Sequence, residues 1–165
     1  MKTYRTREYL GVGQKVMVKY QQEFLSQVQS DIEPLLEEDW QEIEHNKHLY
    51  KLDPDWDIYG KLEEQGSLFI FTCRDGNKLV GYFVVVIIPS LHYKGSMIAA
   101  ADVIFLSKEY RSGLAGYKLF KFAENCLRED GFKTLQVTTT ERNPIDPLME
   151  RLGYSKIETK FERVL

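Results

Sequence analysis

The chain has 165 residues, enough for one domain with a real core. Its 43% hydrophobic and 28% charged content is ordinary for a soluble globular protein. The formal net charge of −3 leaves no basic footprint for nucleic acid, and it is too weakly acidic to imply a membrane or acidic-substrate partner.

Residues 1–10 carry Lys2, Arg5, Arg7 and Glu8 without an apolar core, unlike a signal peptide. Residues 1–13 lack periodicity and read as an extension, leaving 14–165 as the domain. Alternating polar and apolar residues over 15–20 predict a half-buried strand. Phe24, Leu25 and Val28 then stand at helical spacing, ending near Ser30. A second helix is expected from Pro34, a suitable first residue, through Leu35, Leu36, Trp40 and Ile43 to about His45. Asp55 is placed to cap a short helix through Tyr59 and Leu62 that Gly66 ends.

A strand over 68–73, hairpin chemistry at Asp75, Gly76 and Asn77, and an almost wholly apolar strand over 79–88 follow. The second of these belongs at the centre of a sheet. It lies in the longest apolar run, 79–89, which is too short to span a bilayer. Another strand is expected over 98–106. From Gly116, residues Leu119, Phe120, Ala123, Cys126 and Leu127 trace the apolar stripe of a helix ending at Gly131. A strand over 134–139, a short helix around Leu148, Met149 and Leu152 stopped by Gly153, and a last strand over 156–163 complete the reading. The order predicts a single-domain α/β fold, with a mixed, mostly antiparallel central sheet and helices on both faces. Cys73 and Cys126 lie far apart in apolar patterns and read as buried free thiols in a reducing, cytoplasmic setting.

The turn after the strand at 98–106 carries the most chemistry. Gly113, Ala115 and Gly116 leave a strand-to-helix connection free of side-chain bulk. The first amides of the following helix lack intrahelical partners and carry the positive end of its dipole. Arg111 adds a planar donor fork matched to phosphate oxygens. The arrangement suits a phosphate-bearing ligand, whereas glycine used only for tight packing is the alternative.

From the strand before Arg111 through Tyr154, the sequence resembles the GNAT N-acyltransferases, whose phosphate signature is Arg/Gln-x-x-Gly-x-Gly/Ala. Tyr110, Arg111 and Gly116 match in register, Leu114 stands at the middle glycine, and Gly113 lies one position early. Asn143 with Leu152, Gly153 and Tyr154 resembles the family's downstream ending. Residues 52–56 and 91–94 are similar to GNAT-like proteins common in bacteriophage genomes.

The resemblance implies acetyl-CoA as co-substrate, bound without a metal, and transfer to a primary amine of a small molecule or a protein lysine. Phe105 and Leu106 would offer backbone groups to the pantetheine arm, as in strand addition. Ser112, Gly113, Leu114, Ala115, Gly116 and Tyr117 would surround the diphosphate with Arg111 at its edge, and Asn143 would bind the arm. Direct transfer in a ternary complex is the expected route, with a possible homodimer through the last strand and host cytoplasm as the site if phage-encoded. The alternative is a non-catalytic CoA-binding or protein-interaction module on the same fold.

Asp102 is the best-placed carboxylate for a general base, read as sharing a face with Ala100, Ile104 and Leu106; a structural role pairing Lys94 or Arg142 stays open. His92 is the second candidate because imidazole titrates near neutrality. Trp56 and Tyr93 are candidate substrate contacts. The position where the family often has an acidic tyrosine is Met149, so water would protonate a thiolate of pKa about 8.5. The acidic run Glu37, Glu38, Asp39, Glu42 and Glu44 is a solvated helix face or a border favouring a cationic acceptor.

Overall fold

The structure, a computed structural model, describes residues 6–8, 18–142 and 144–165. Strands β1 (Thr6–Glu8), β2 (Val18–Glu23), β3 (Leu68–Asp75), β4 (Lys78–Pro89), β5 (Met97–Leu106) and β6 (Leu135–Gln136) form one sheet in sequence order. The first five pair antiparallel, and β6 joins β5 in parallel. Helices α1 (Leu25–Ile43) and α2 (Trp56–Glu64) cover one face. The single turn α3 (Lys108–Arg111) leads into α4 (Ala115–Glu129), which covers the other face with α5 (Asp146–Leu152).

The expected α/β sheet with helices on both faces is therefore present, and its apolar strand β4 is central. Thr6–Glu8, within the segment read as an extension, pairs with β2 as an edge strand. The strand expected over 15–20 is described from Val18 and continues to Glu23; residues 15–17 lie outside the described residues.

Two helices were expected before residue 46, and one is found. Pro34 lies inside α1, forgoing the bond its missing N–H would make to the Ser30 carbonyl. Burial of one stripe, Leu25, Val28 and Ile32, against Ile70, Tyr82, Val84 and Phe105 outweighs that loss. Arg74 adds an anchor: its Nε lies 2.9 Å from Glu23 Oε2 and its Nη2 2.8 Å from Asp31 Oδ2. Asp55 caps α2 as expected, its Oδ1 accepting from the Ile58 N–H at 3.0 Å.

Aromatic packing fixes α4 against the sheet. Phe83 and Phe120 have centroids 4.9 Å apart, and Phe71 meets Phe122 edge-on at 6.0 Å. This is the scaffold that sets the N-terminus of α4 beyond the end of β5.

The strand expected over 156–163 is not formed; residues 154–165 have no regular structure. Ile157 and Phe161 share one face of an extended chain, but they are 70% and 95% exposed, with nothing among the described residues packed against them to hold a strand. For want of a partner on its far side among the described residues, β6 keeps two residues of the expected 134–139.

Candidate active site

Strands β5 and β6 pair only at Ala99 with Leu135 and Ala100 with Gln136. From Ala101 to Leu106 the β6 side of β5 has no partner strand among the described residues. Leu106 turns its backbone groups to this open side, where an amide-bearing chain can complete the ladder, whereas those of Phe105, expected to serve with it, face Tyr82 on β4. Ser107 N–H donates to the Val80 carbonyl at 2.8 Å, so the opposite side of the strand stays paired to its end.

Beyond Ser107, α3 interposes one helical turn that the sequence reading lacked. The Tyr110 hydroxyl donates to Asp75 Oδ2 at 2.7 Å and ties this turn to the β3–β4 hairpin. Leu114 precedes α4, and the Lys118 N–H donating to its carbonyl at 2.9 Å is the first α-helical bond. The amides of Ala115, Gly116 and Tyr117 are thus ahead of the helical ladder, at the positive end of its dipole.

Neither Gly113 nor Gly116 has a positive φ. A Cβ added at Gly116 would meet Leu106 Cδ2 at 3.6 Å and Leu148 Cδ2 at 3.7 Å, both ordinary contacts. Neither backbone conformation nor packing within the chain requires glycine at 116. A bare Cα there suits the close approach of a ligand, so the residues present fit a diphosphate. Ser112, Gly113 and Leu114 form the exposed turn, and Leu114 is 44% exposed.

Asp102 sits where the β4–β5 register slips. Val84 faces Val103 and Val85 faces Ala101, leaving Asp102 as the extra residue of a β-bulge. The slip reverses the alternation. Ala99, Ala101, Ile104 and Leu106 pack with the α4 side, while Val103 and Phe105 pack with the α1 side. The expected common face of Asp102 with Ile104 and Leu106 is therefore wrong, because strict alternation fails at a bulge. Asp102 instead turns toward α2, where its Oδ2 accepts the Tyr59 hydroxyl proton at 2.7 Å. Burial, then this bond, holds the Tyr59 phenol far above its usual range. Arg142 donates to the Glu44 carbonyl, not to Asp102.

Trp56 opens α2 with its ring 5.5 Å from that of Tyr59, so it borders the same wall. His92 and Tyr93 are exposed in the turn joining β4 to β5. Five strand steps lead from Met97 to Asp102, roughly 17 Å, so His92 and Asp102 are at different levels of the sheet. Asn143 lies outside the described residues. Met149 is buried among α4 and sheet side chains and supplies no proton. Tyr154 packs edge-on to Phe120 at 6.4 Å, a core position.

Arg111 turns back over the end of β5. Its Nε donates to the Leu106 carbonyl at 2.6 Å, and its Nη1 donates to Glu42 Oε2 at 2.9 Å. The guanidinium carbon stands 5.6 Å from the Phe105 ring centroid. Lys108 Nζ lies 3.1 Å from Glu42 Oε1. The Arg111 bond holds the Glu42 carboxyl below its usual range. One turn earlier, Asp39 is buried, and desolvation followed by the Glu42 charge pushes its carboxyl up to about 6. Burial, then the charges of Asp39, Tyr59 and Asp102, holds the Tyr82 phenol above its ordinary range.

Tyr82 escaped the sequence analysis, and Asp39 entered it only within the acidic run, as part of a solvated face or an acceptor border. A signal existed for Asp39: it continues the stripe of Leu25, Val28, Ile32, Leu35 and Leu36 with a carboxylate where an apolar residue belongs. Tyr82, inside an apolar strand, gives no such signal. Cys73 and Cys126 are both buried, and burial pushes the Cys73 thiol up to about 12. Among the described residues, no group of three or more His, Cys, Asp or Glu is placed to hold a metal ion, and no helix is long and apolar enough to cross a membrane.

The acetyltransferase (GNAT) family model matches residues 29–154. No curated protein matches the sequence. Among solved structures, one similar chain is an aminoglycoside acetyltransferase from an uncultured soil metagenomic sample, in complex with sisomicin. It is 16% identical, with a TM-score of 0.69 over 90% of this chain and 96% of its own. A ribosomal-protein-alanine N-acetyltransferase from Brucella melitensis biovar Abortus 2308 is 17% identical, with a TM-score of 0.67 over 90% of this chain and 99% of its own. A predicted acetyltransferase from Clostridium acetobutylicum, solved with acetyl-CoA, is 9% identical, with a TM-score of 0.66 over 90% of this chain and 96% of its own. At these identities the likeness establishes the fold.

Proposed function

Because this chain belongs to the acetyltransferase (GNAT) family, we propose that it moves an acetyl group from acetyl-CoA directly to a primary amine while both are bound. The bare Gly116 Cα at the mouth of the β5–β6 split carries this reading, since nothing within the chain requires glycine there. The solved Clostridium relative with acetyl-CoA supports the choice of coenzyme. A phage-encoded protein of this kind would act in the host cytoplasm.

The coenzyme supplies an acetyl group activated as a thioester. Leu106 binds its amide arm along the open edge of β5, with Phe105 beside it, and the amides from Gly113 to Tyr117 bind the diphosphate, with Arg111 turning to its edge. Trp56 and Tyr59 form the acceptor wall. The amine must be neutral to act as nucleophile, and Asp102 takes its proton directly or through one water. Tyr59 orients that carboxylate from α2. Asp102 is preferred to His92 as the base because it lies on the stretch of β5 that β6 leaves open and faces Tyr59 on α2, while His92 stands in the exposed turn with Tyr93. With Met149 at the position of the family's acid, the departing thiolate takes a proton from water.

A non-catalytic module on the same fold is the second reading, favoured by Leu114 and Met149 at the family's glycine and tyrosine positions. Thermal unfolding with acetyl-CoA, CoA and dephospho-CoA, followed by thiol release over a panel of amines, separates the two. Acetyl-CoA at one hundred times its Kd is expected to add about 2.7 kcal/mol of stability, with amine-dependent thiol release. Stabilisation without release from any amine favours the module; no stabilisation removes the coenzyme assignment.

A further inference from the structure

The Leu106 carbonyl has two claimants. Tyr82 faces Phe105 across the β4–β5 ladder, and the Ser107 N–H donates to the Val80 carbonyl. The groups of Leu106, between them, therefore point away from β4 to the open side of β5. On that side the donor is Arg111, whose Nε lies 2.6 Å from the Leu106 carbonyl oxygen. The single turn α3 folds the chain back to bring it there.

Two further contacts hold the guanidinium in place. Its Nη1 donates to Glu42 Oε2 at 2.9 Å, and its carbon stands 5.6 Å from the Phe105 ring centroid. Lys108 Nζ, 3.1 Å from Glu42 Oε1, fixes that carboxylate from the same turn. The arginine side chain is 32% exposed and the glutamate 17%, so water screens the pair only in part.

An unpaired carbonyl at a strand edge invites a new strand, and Arg111 satisfies this one within the chain. A coenzyme arm that adds to β5 must bring an amide N–H to the same oxygen. Arginine has five donors and no acceptor, so it offers that N–H nothing to bond to. The oxygen keeps a second lone pair, yet a guanidinium at 2.6 Å stands on the side from which the arm approaches. Occupation by one therefore works against the other. The diphosphate then gives the displaced guanidinium a new partner beside the turn.

Resting on the coenzyme reading above, we infer that Arg111 and Glu42 form an autoinhibitory latch. In the free protein they close the Leu106 carbonyl to the coenzyme arm, and the arriving coenzyme opens it.

Two probes test the latch by calorimetry: CoA, with arm and diphosphate, and pantetheine, with the arm's amides alone. Glu42→Gln keeps the shape and removes the charge that holds Arg111, so it is expected to bind CoA roughly fivefold more tightly than wild type. In an Arg111→Ala background the same substitution is expected to change CoA binding by less than about twofold. Arg111→Ala is expected to bind pantetheine about threefold or more tighter than wild type, whereas an arginine serving phosphate alone leaves pantetheine unaffected. The two arms use different substitutions, so one variant that fails to fold leaves the other to decide. Where wild type binds CoA, a Glu42→Gln affinity equal to or below that of wild type overturns the latch and leaves the coenzyme reading standing. An equal gain in the Arg111→Ala background, which is a general charge effect, also overturns it. So does pantetheine that binds Arg111→Ala no better than wild type. If neither wild type nor Glu42→Gln binds CoA, the coenzyme reading fails and the latch with it; if Glu42→Gln alone binds, both stand.

Discussion

The Tyr59 hydroxyl donates to Asp102 Oδ2 across 2.7 Å, joining α2 to the one residue that the β4–β5 ladder leaves unpaired. A bulge re-aims the side chain it carries, and the tyrosine then limits its orientation. Asp102→Asn preserves shape and removes the base. With any amine that is turned over, kcat/KM is expected to fall by roughly 10²–10⁴. Tyr59→Phe removes only the orienting bond, about 1–2 kcal/mol, so a loss of roughly tenfold is expected. Thiol-release kinetics across pH check both; an Asp102→Asn variant with unchanged kcat/KM assigns the proton transfer elsewhere.

Gly116 separates packing from ligand binding. Alanine fits there with contacts of 3.6 and 3.7 Å, and it favours a helix more than glycine by about 1 kcal/mol. Gly116→Ala is expected to leave the unfolding midpoint unchanged or raised while weakening coenzyme binding tenfold or more. Chemical denaturation together with calorimetry measures the two effects separately.

Gly81 presents the opposite case. A Cβ there would lie 2.9 Å from the Phe105 carbonyl oxygen and 2.7 Å from Leu106 Cδ1. The first contact is with the backbone of β5, which cannot yield without disturbing the strand that is to bind the coenzyme arm along its other side. Gly81→Ala is expected to cost about 1–3 kcal/mol of stability by overpacking, and to weaken the coenzyme as well. Urea unfolding checks the cost.

Asp39 carries a pH signature. Burial raises its folded pKa to about 6, so the folded state binds more protons than the unfolded chain between roughly pH 4 and that value. Its contribution to stability is full below that window and is lost as pH rises through about 6. Asp39→Asn is expected to raise stability at pH 7 by about 1–3 kcal/mol relative to wild type, and to change it little at pH 4. Unfolding at both pH values measures the difference; an equal effect at each would assign Asp39 an ordinary exposed titration.

Much of this architecture could be read from the residues. The apolar run of β4, the cap at Asp55, the stripe of α4 and the bare turn around Gly116 obey local rules, and each falls where those rules put it. The misses have one cause: tertiary packing overrode a local signal. Pro34 reads as a start, but a continuous buried face carries α1 through it. Ile157 and Phe161 suggest a strand, yet no neighbour pairs with them. At Asp102 the period of two predicts the wrong face, since a bulge is a relationship between strands that one strand's sequence does not display. The contact of Glu42 with Arg111, with Asp39 one turn behind it, joins α1 to α3, and only the folded chain brings them together.

The backbone amides behind Leu106 are the most direct witnesses to the coenzyme. Titrating acetyl-CoA into isotope-labelled protein and following amide resonances by NMR reports on each of them. The largest shifts are expected at Gly113, Ala115, Gly116 and Tyr117, with a second group at Phe105 and Leu106 along the open edge of β5. Saturating coenzyme that leaves those resonances in place would contradict the assignment of this loop as the diphosphate site.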